Sequence, residues 1–447
     1  MANLAGLAVG SGMRPEAIDW FKLDEGPFMP GFLGADYALK EAEAGLCHEE
    51  ICLRLRGSHA EMNAIIRQLE SALRAALLEE QAESAYLRLY SQTLAGYVYA
   101  RVIQAQLAPL PGHISSKEQG SYCLKVSIVR EARFVGDEVR LSIFNSGGTG
   151  DARGVTLYNH DDSHTGHDHW FSALTSGLGL SEPCPMRLEF YVPEGAVSIG
   201  DFHLGSFEIS EAGSFPPMTL EAEQGIGGTT IADARASNGK FQRYSWSGSG
   251  WANLASWSLS SMLVSKLASQ TVLPVLRLHN LTSQTGIRLR FVLRQQGMKV
   301  YESPICSLQT GKSGQVFSPM HLGASGLPGL NYAYGLNLSL EALQSDSSAS
   351  LDVDDIIFLP QKCYRFYQSL CGLEPRSSLI DDSWREQTWS LKEDQELKTH
   401  LSLGRAMSLF PGLEQRFYLF MSSPAGLSAI DMTMKVRAWY RPVTVLP

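Results

Sequence analysis

The chain has no concentration of charge of one sign. Of its 447 residues, 37 are Lys or Arg and 46 are Asp or Glu, a formal charge of -9. No run of like charges stands out, so nothing in the composition argues for gripping a phosphate backbone, and nucleic acid is not an expected partner. No window approaches the roughly 18 uninterrupted apolar residues of a transmembrane helix, so no membrane span is expected. Met1 to Pro15 holds a short apolar stretch broken by glycines with no basic residue before it, which does not read as a signal peptide. The expectation is a protein made and kept in the cytosol, or in a particle assembled there. Cysteine is scattered: Cys47, Cys52, Cys123, Cys184, Cys306, Cys363 and Cys371 are odd in number and contain no CxxC, which points away from a disulfide framework or a zinc site and toward buried thiols. Catalytic patterns are missing as well, with no GxSxG elbow, HExxH, Walker loop or GxGxxG between strand and helix. Paired carboxylates for glycoside cleavage would not show their separation in one sequence. The expected protein is not an enzyme.

What is present is enough apolar residue to fold throughout, 44 % of the chain against 19 % charged. Cores stop growing near roughly 250 to 300 residues, so two or three domains are expected. One amphipathic helix is legible over 58–82. Ser58-His59-Ala60-Glu61 fits a capping box, and Met62, Ile65, Ile66, Leu69, Leu73, Ala76 and Leu77 recur at helical spacing opposite Glu61, Arg67, Gln68, Glu70 and Arg74. Alternating segments flank it, Ile51 to Arg56 and Tyr86 to Tyr90, which gives a strand-helix-strand unit. From Ser121 onward the period is two almost everywhere, between turns of Gly, Pro, Asn and Ser. A second block follows Pro216-Pro217 and runs to Pro360, the size of one jelly-roll. The predicted fold class is mainly β: a β-sandwich domain with one amphipathic helix plus a jelly-roll β-sandwich domain. The predicted domains are an assembly domain over 1–215, a jelly-roll over 216–360, and C-terminal strands over 361–447 that return to the first domain.

Three local clusters are candidate sites. His160, His164, His167 and His169 fall within ten residues alongside Asp161, Asp162 and Asp168, and imidazole with carboxylate is a transition-metal ligand set. On a strand, His167 and His169 would point to one side and chelate together; a solvated polar loop is the plainer reading. Glu221 and Glu223 open the jelly-roll block while Asp352, Asp354 and Asp355 close it. First and last strands of such a fold commonly lie side by side, so Glu221, Glu223 and Asp355 could converge on calcium, which takes hard oxygen ligands; two solvent-facing strand edges are the alternative. Tyr244, Trp246, Trp251 and Trp257 lie in a stretch rich in Ser and Gly, which suits sugar stacking or a protein contact, against the commoner fate of a sandwich tryptophan in the core.

Two resemblances follow from particular residues. Leu220-Glu221-Ala222-Glu223, Asp233 to Lys240 and Val353-Asp354-Asp355-Ile356-Ile357 resemble the galactose-binding-like jelly-rolls of carbohydrate-binding modules. Those families open on an acidic strand, pass through a glycine-containing turn and end on an Asp-bearing strand, and their first and last strands hold a structural calcium. Asn238 stands where the family usually has glycine. The strand-helix-strand unit at 48–92, the β-rich continuation and the ending Trp439-Tyr440-Arg441-Pro442 are similar to tail-tube and distal-tail (baseplate) proteins of tailed bacteriophages, in which a β-sandwich flanked by one helix closes into rings. Together the resemblances imply a virion protein of the tail, assembled in the host cytoplasm. Its partners would be its own copies, as a trimeric or hexameric ring, other virion proteins and a host surface glycan. The rival readings are a carbohydrate-binding adhesin, a capsid or decoration protein, and an enzyme acting on polysaccharide.

Overall fold

The computed structural model describes residues 4–10, 45–56, 58–72, 84–91, 96–109, 121–161, 164–209, 215–259, 270–281, 284–322, 335–344, 348–392, 395–397 and 400–444. They divide into two compact units, residues 1–139 with 441–447, and residues 140–440. The units therefore divide at 139/140 and 440/441, where the sequence alone suggested 215/216 and 360/361.

The smaller unit is one antiparallel sheet in the order Leu4–Gly10, Ser84–Ser91, Gly96–Pro109, Ser121–Glu131, Leu46–Arg56. Phe134–Gly136 adds to Gly96–Pro109, and Val443–Thr444 pairs with it in turn. The expectation of a sandwich flanked by an amphipathic helix is corrected here. The chain is nearly all β, 60 % strand and 4 % helical, and is built from several sheets. Among the described residues α-helical geometry is found over His59–Ala72, and the rest of the expected segment, 73–82, lies outside the described residues. Within His59–Ala72 no described side chain is buried: Ile66 is half-exposed and Ala60 and Ala64 face water. The helical spacing of apolar residues is present, but none of the described side chains on it is buried, and the packed amphipathic helix that the spacing predicts is not found.

The larger unit contains four sheets. Two make a sandwich. One runs His400–Gly404, Cys363–Leu373, Ile199–Ile209, Glu414–Ser422, Trp170–Leu174, Ile143–Phe144, and the other runs Gln395–Leu397, Gln387–Lys392, Ser377–Asp382, Cys184–Tyr191, Thr433–Tyr440. Thr433–Tyr440 shows how the sequence specifies this: Met434, Val436, Ala438 and Tyr440 are buried while the alternate residues are half-buried, the period of a strand with one face on a core. Phe190 of the second sheet meets Phe202 and Tyr367 of the first with ring centroids 4.9 and 5.6 Å away, which closes the sandwich.

The other two sheets use residues 219–360 alone and form the jelly-roll. One is ordered Thr229–Ala232, Lys240–Trp246, Ala349–Pro360, Thr271–Leu278, Gly314–Val316, and the other Ala252–Leu259, Leu336–Leu343, Arg288–Gln295, Met298–Glu302. Ala349–Pro360 is buried without a break from Val353 onward, as expected of a central strand covered on both faces. The chain enters this insert from Ile199–Ile209 and leaves it into Cys363–Leu373. Those two strands are antiparallel neighbours, with Ser206 opposite Cys363. The whole jelly-roll thus occupies a hairpin connection of the host sandwich.

Insert and host share one apolar core, in which Phe207, Ile209, Phe215, Tyr418 and Phe420 of the host pack with the jelly-roll residues. Two glycines mark the closeness of this joint. A Cβ on Gly205 would run into the Pro360 carbonyl, and one on Gly314 would lie 2.6 and 2.7 Å from two ring carbons of the buried Phe420. Overpacking of this kind costs about 1–3 kcal/mol. Gly314→Ala is accordingly expected to lower the unfolding free energy by that amount, read as a lower urea midpoint with the m-value unchanged, whereas Gly177→Ala, at a position where a Cβ meets nothing within 4 Å, is expected to leave the midpoint in place.

Candidate functional site

The pairing of first and last jelly-roll strands is as the sequence implied. Thr219–Glu221 lies antiparallel to Ala349–Pro360, with Glu221 opposite Asp355. On the other side of Asp355, across the same central strand, stands Arg277 of Thr271–Leu278. Residues in one cross-strand row project to the same face, so Glu221, Asp355 and Arg277 form an acid-acid-base line. All three are buried, with Asp354 beside them. Arg277 Nε is 3.3 Å from Asp355 Oδ1. That distance makes an ion pair but the approach is off-line for a hydrogen bond, and neither Asp355 oxygen accepts one.

The remaining acids are held by the Ala236–Gly239 turn. Ser237 Oγ donates to Glu221 Oε1 at 3.0 Å, and the Ser237 amide to Asp354 Oδ1 at 2.8 Å. Asn238 Nδ2 donates to Glu223 Oε1 at 3.0 Å from a left-handed backbone with φ 54°. This explains the departure from glycine at that position: Asn tolerates the left-handed region and here also supplies a donor. Asp352 belongs elsewhere, paired with Arg243 at 2.7 Å and Asn280 at 2.8 Å.

Burial, followed by the neighbouring Asp355, pushes Glu221 up to about 9, and burial with Asp355 pushes Asp354 up to about 8. Burial raises Asp355 also, against the opposing pull of Arg277. The oxygen chemistry suits a hard cation, but the arrangement does not. Among the described residues no group of three or more His, Cys, Asp or Glu side chains is disposed to hold a metal ion. Glu221, Asp354 and Glu223 each give one oxygen to Ser237 or Asn238, while Glu221 Oε2, Glu223 Oε2 and both Asp355 oxygens are buried without a hydrogen-bond partner, and the guanidinium of Arg277 stands beside Asp355. Glu221, Glu223 and Asp355, the residues expected to hold calcium, therefore gather, with a fixed cation already next to them.

Three of the four histidines come together on the loop side: the His167 ring centroid lies 5.1 Å from that of His164, 6.0 Å from that of His160 and 4.2 Å from that of Tyr158. His160 is buried, with Nδ1 3.0 Å from the Ile430 carbonyl. His169 points into the core beside Tyr418, and burial lowers it to about 3. The i, i+2 pairing of His167 with His169 is not made, because the backbone between them is loop and not strand, and among the described residues no group of three or more His, Cys, Asp or Glu side chains is disposed to hold a metal ion.

Of the four aromatics, Tyr244, Trp246 and Trp257 are core residues. Trp257 Nε1 donates to the Glu221 carbonyl at 2.9 Å, so it braces the acidic strand. Trp251 alone of the four is half-exposed, with the Arg290 guanidinium 4.0 Å from its ring centroid. Arg290 is in turn held by Glu341 at 2.7 Å and Glu302 at 2.6 Å. Sequence reasoning missed Arg277 and its partner Asn159. The available signal was a single arginine in the otherwise apolar strand Thr271–Leu278, where a buried charge demands a partner.

No protein-family model matches the chain, and no curated protein matches it. Solved structures that align with it include a secreted protein from Parabacteroides distasonis, 10 % identical over 56 % of this chain and 99 % of that one, with a TM-score of 0.18. The VP2 subviral particle of infectious bursal disease virus aligns at 9 % identity over 69 % and 80 %, TM-score 0.19. An exo-β-1,3-galactanase of Phanerochaete chrysosporium, solved with galactose, aligns at 12 % identity over 70 % and 82 %, TM-score 0.19. At these TM-scores the likenesses carry no argument about this chain.

The buried titrating groups set an expected pH profile. Glu221 and Asp354 have folded values raised to about 9 and about 8 from 4.5 and 3.8. Their contribution to stability is complete below the unfolded values and is lost as pH rises toward the folded ones. His169 and His203 are both lowered by burial to about 3 from 6.5, so their contribution is present above 6.5 and lost as pH falls. Denaturant midpoints are expected to decline from pH 6.5 to pH 9, and Glu221→Gln is expected to flatten that decline; a profile rising over this range would contradict the assignment.

Proposed function

We propose that the protein is a non-catalytic structural subunit of a tailed-bacteriophage virion, ring-forming in the tail or baseplate, with the jelly-roll as a fixed outer appendage. The observation that carries this reading is the nesting of a complete two-sheet domain in one hairpin connection of a sandwich. A host sandwich whose other connections are left intact keeps its remaining surface for assembly, while the insert presents a surface of its own. The long antiparallel strands of the smaller unit support the same reading. Among the described residues its sheet ends on Leu4–Gly10 and Leu46–Arg56, whose outer edges offer backbone groups for pairing with a second copy. The partners are copies of the chain and other virion proteins, with the virion as its location.

A second reading, a carbohydrate-binding protein that acts without a ring, is favoured by Trp251. Its half-exposed indole beside Arg290, Glu302 and Glu341 combines an apolar ring with polar groups held in place, a combination suited to sugar hydroxyls.

Native mass spectrometry and negative-stain microscopy of the full chain separate the two. Rings of three or six subunits are the expected outcome, with Trp251→Ala leaving them unchanged. A stable monomer that binds a glycan array and loses that binding in Trp251→Ala would replace the first reading by the second.

A further inference from the structure

We infer that Arg277 takes the place of a metal ion in the acidic cluster, serving as the resident cation of Glu221, Asp354 and Asp355 and, through Asn159, as the fastening between jelly-roll and host sandwich. The proposal does not depend on ring formation.

Four observations carry it. First, the cross-strand row puts the guanidinium beside Asp355 with no freedom to leave: side-chain exposure is 1 % for Arg277 and 0 % for Asp355. Second, guanidinium cannot be deprotonated in a protein, so the charge is permanent where a lysine in the same surroundings would shed its proton. Third, the other end of the group is committed to the host. Arg277 Nη2 donates to the Asn159 carbonyl, and its carbon lies 5.5 Å from the Phe420 ring centroid. Asn159 is itself fixed: its Nδ2 donates to the Met421 carbonyl at 2.8 Å and its Oδ1 accepts from the Met421 amide at 2.7 Å. The chain of contacts thus runs from the acidic strands of the insert to the strand Glu414–Ser422 of the host. Fourth, the host solves the same problem in the ordinary way. Arg365 and Asp381, buried and 2.9 Å apart, are surrounded by donors, with Tyr367 and Thr388 both bonding Asp381. Asp355 accepts no hydrogen bond, and Arg277 is the cation in ion-pair contact with it among the described residues. A divalent ion ligated by Asp355 would have to sit against that guanidinium, and like charges in a buried site repel strongly.

The test uses the full chain, calcium chloride, EDTA and terbium chloride. For the unmodified protein, thermal unfolding is expected at the same temperature with about 5 mM calcium, roughly 500-fold above the ~10 μM dissociation constant of the weaker sensor sites, as with EDTA, and terbium is expected to show no sensitised emission from the nearby Trp257. Arg277→Gln is expected to lower Tm by several degrees and to gain a calcium-dependent rise in Tm, because the acids then lack their cation. Arg277→Lys, whose amine sheds its proton in these surroundings and cannot make the fork to Asn159, is expected to behave as Arg277→Gln does. A calcium-dependent rise in Tm of the unmodified protein overturns the proposal without recourse to any variant, so a failure of Arg277→Gln to fold leaves it testable. A folded Arg277→Gln that stays indifferent to calcium overturns it equally.

Discussion

The pairing of Ile199–Ile209 with Cys363–Leu373 constrains everything else in the larger unit. Two strands more than 150 positions apart in sequence are neighbours in one sheet, so the chain between them must depart and return at a single place. Loop closure of this length is tolerable because its entropic cost grows only logarithmically, about 0.6 kcal/mol per doubling. It is also lowered when the intervening segment folds, since a folded domain whose own first and last strands are adjacent brings its ends together unaided. The antiparallel register of Thr219–Glu221 on Ala349–Pro360 is therefore more than a feature of the jelly-roll. It is the condition that lets the host sheet close over the insertion.

That geometry has an electrostatic consequence. Bringing the first and last strands together places Glu221 opposite Asp355 in a part of the protein that water does not reach. Protonation relieves part of the conflict at Glu221 and Asp354, the Ser237 and Asn238 donors relieve part, and Arg277 supplies a permanent positive charge. Each device acts at a different range: hydrogen bonds at the individual oxygen, the guanidinium across the row, the proton on the total charge. Breaking a buried ion pair of this kind by removing one partner typically costs about 3–5 kcal/mol, so the cluster is a strong specifier of how insert and host meet, whatever its net contribution to folding.

Much of this was legible in the sequence. The alternating segments became strands, the block after Pro216-Pro217 became two sheets of its own within the larger unit, and the acidic residues at its two ends came together as adjacent strands require. What could not be read were matters of side-chain burial and third partners. Tyr244, Trp246 and Trp257 lie at alternating or near-alternating positions on strands whose inward face is decided by register, and a one-residue shift would have turned them outward. The helical spacing at 59–72 was equally plain, but spacing alone does not fix whether a segment packs as an amphipathic helix. The acids at 221, 354 and 355 showed where charge collects without showing that a strand 78 positions upstream of Asp355, Thr271–Leu278, delivers an arginine to the same row.

Arg277 also bears on how the two parts of the larger unit behave together. A domain inserted in a surface loop is ordinarily free to tilt, because the joint is two flexible strands of chain. Here the joint contains shared apolar core, two glycines whose missing side chains admit Pro360 and Phe420, and a buried guanidinium with one partner on each side. Rotation of the insert would expose the core residues, drive backbone into those close contacts and separate Arg277 from Asn159 at the same time. Three independent penalties on one motion make the jelly-roll a rigid extension of the sandwich, so any surface it presents keeps a fixed orientation to the sheet edges of its host. In a symmetric assembly a fixed orientation is repeated at every subunit, which turns one half-exposed residue such as Trp251 into an evenly spaced set, and weak contacts spaced to match a repeating partner add through effective concentration without any single contact being strong.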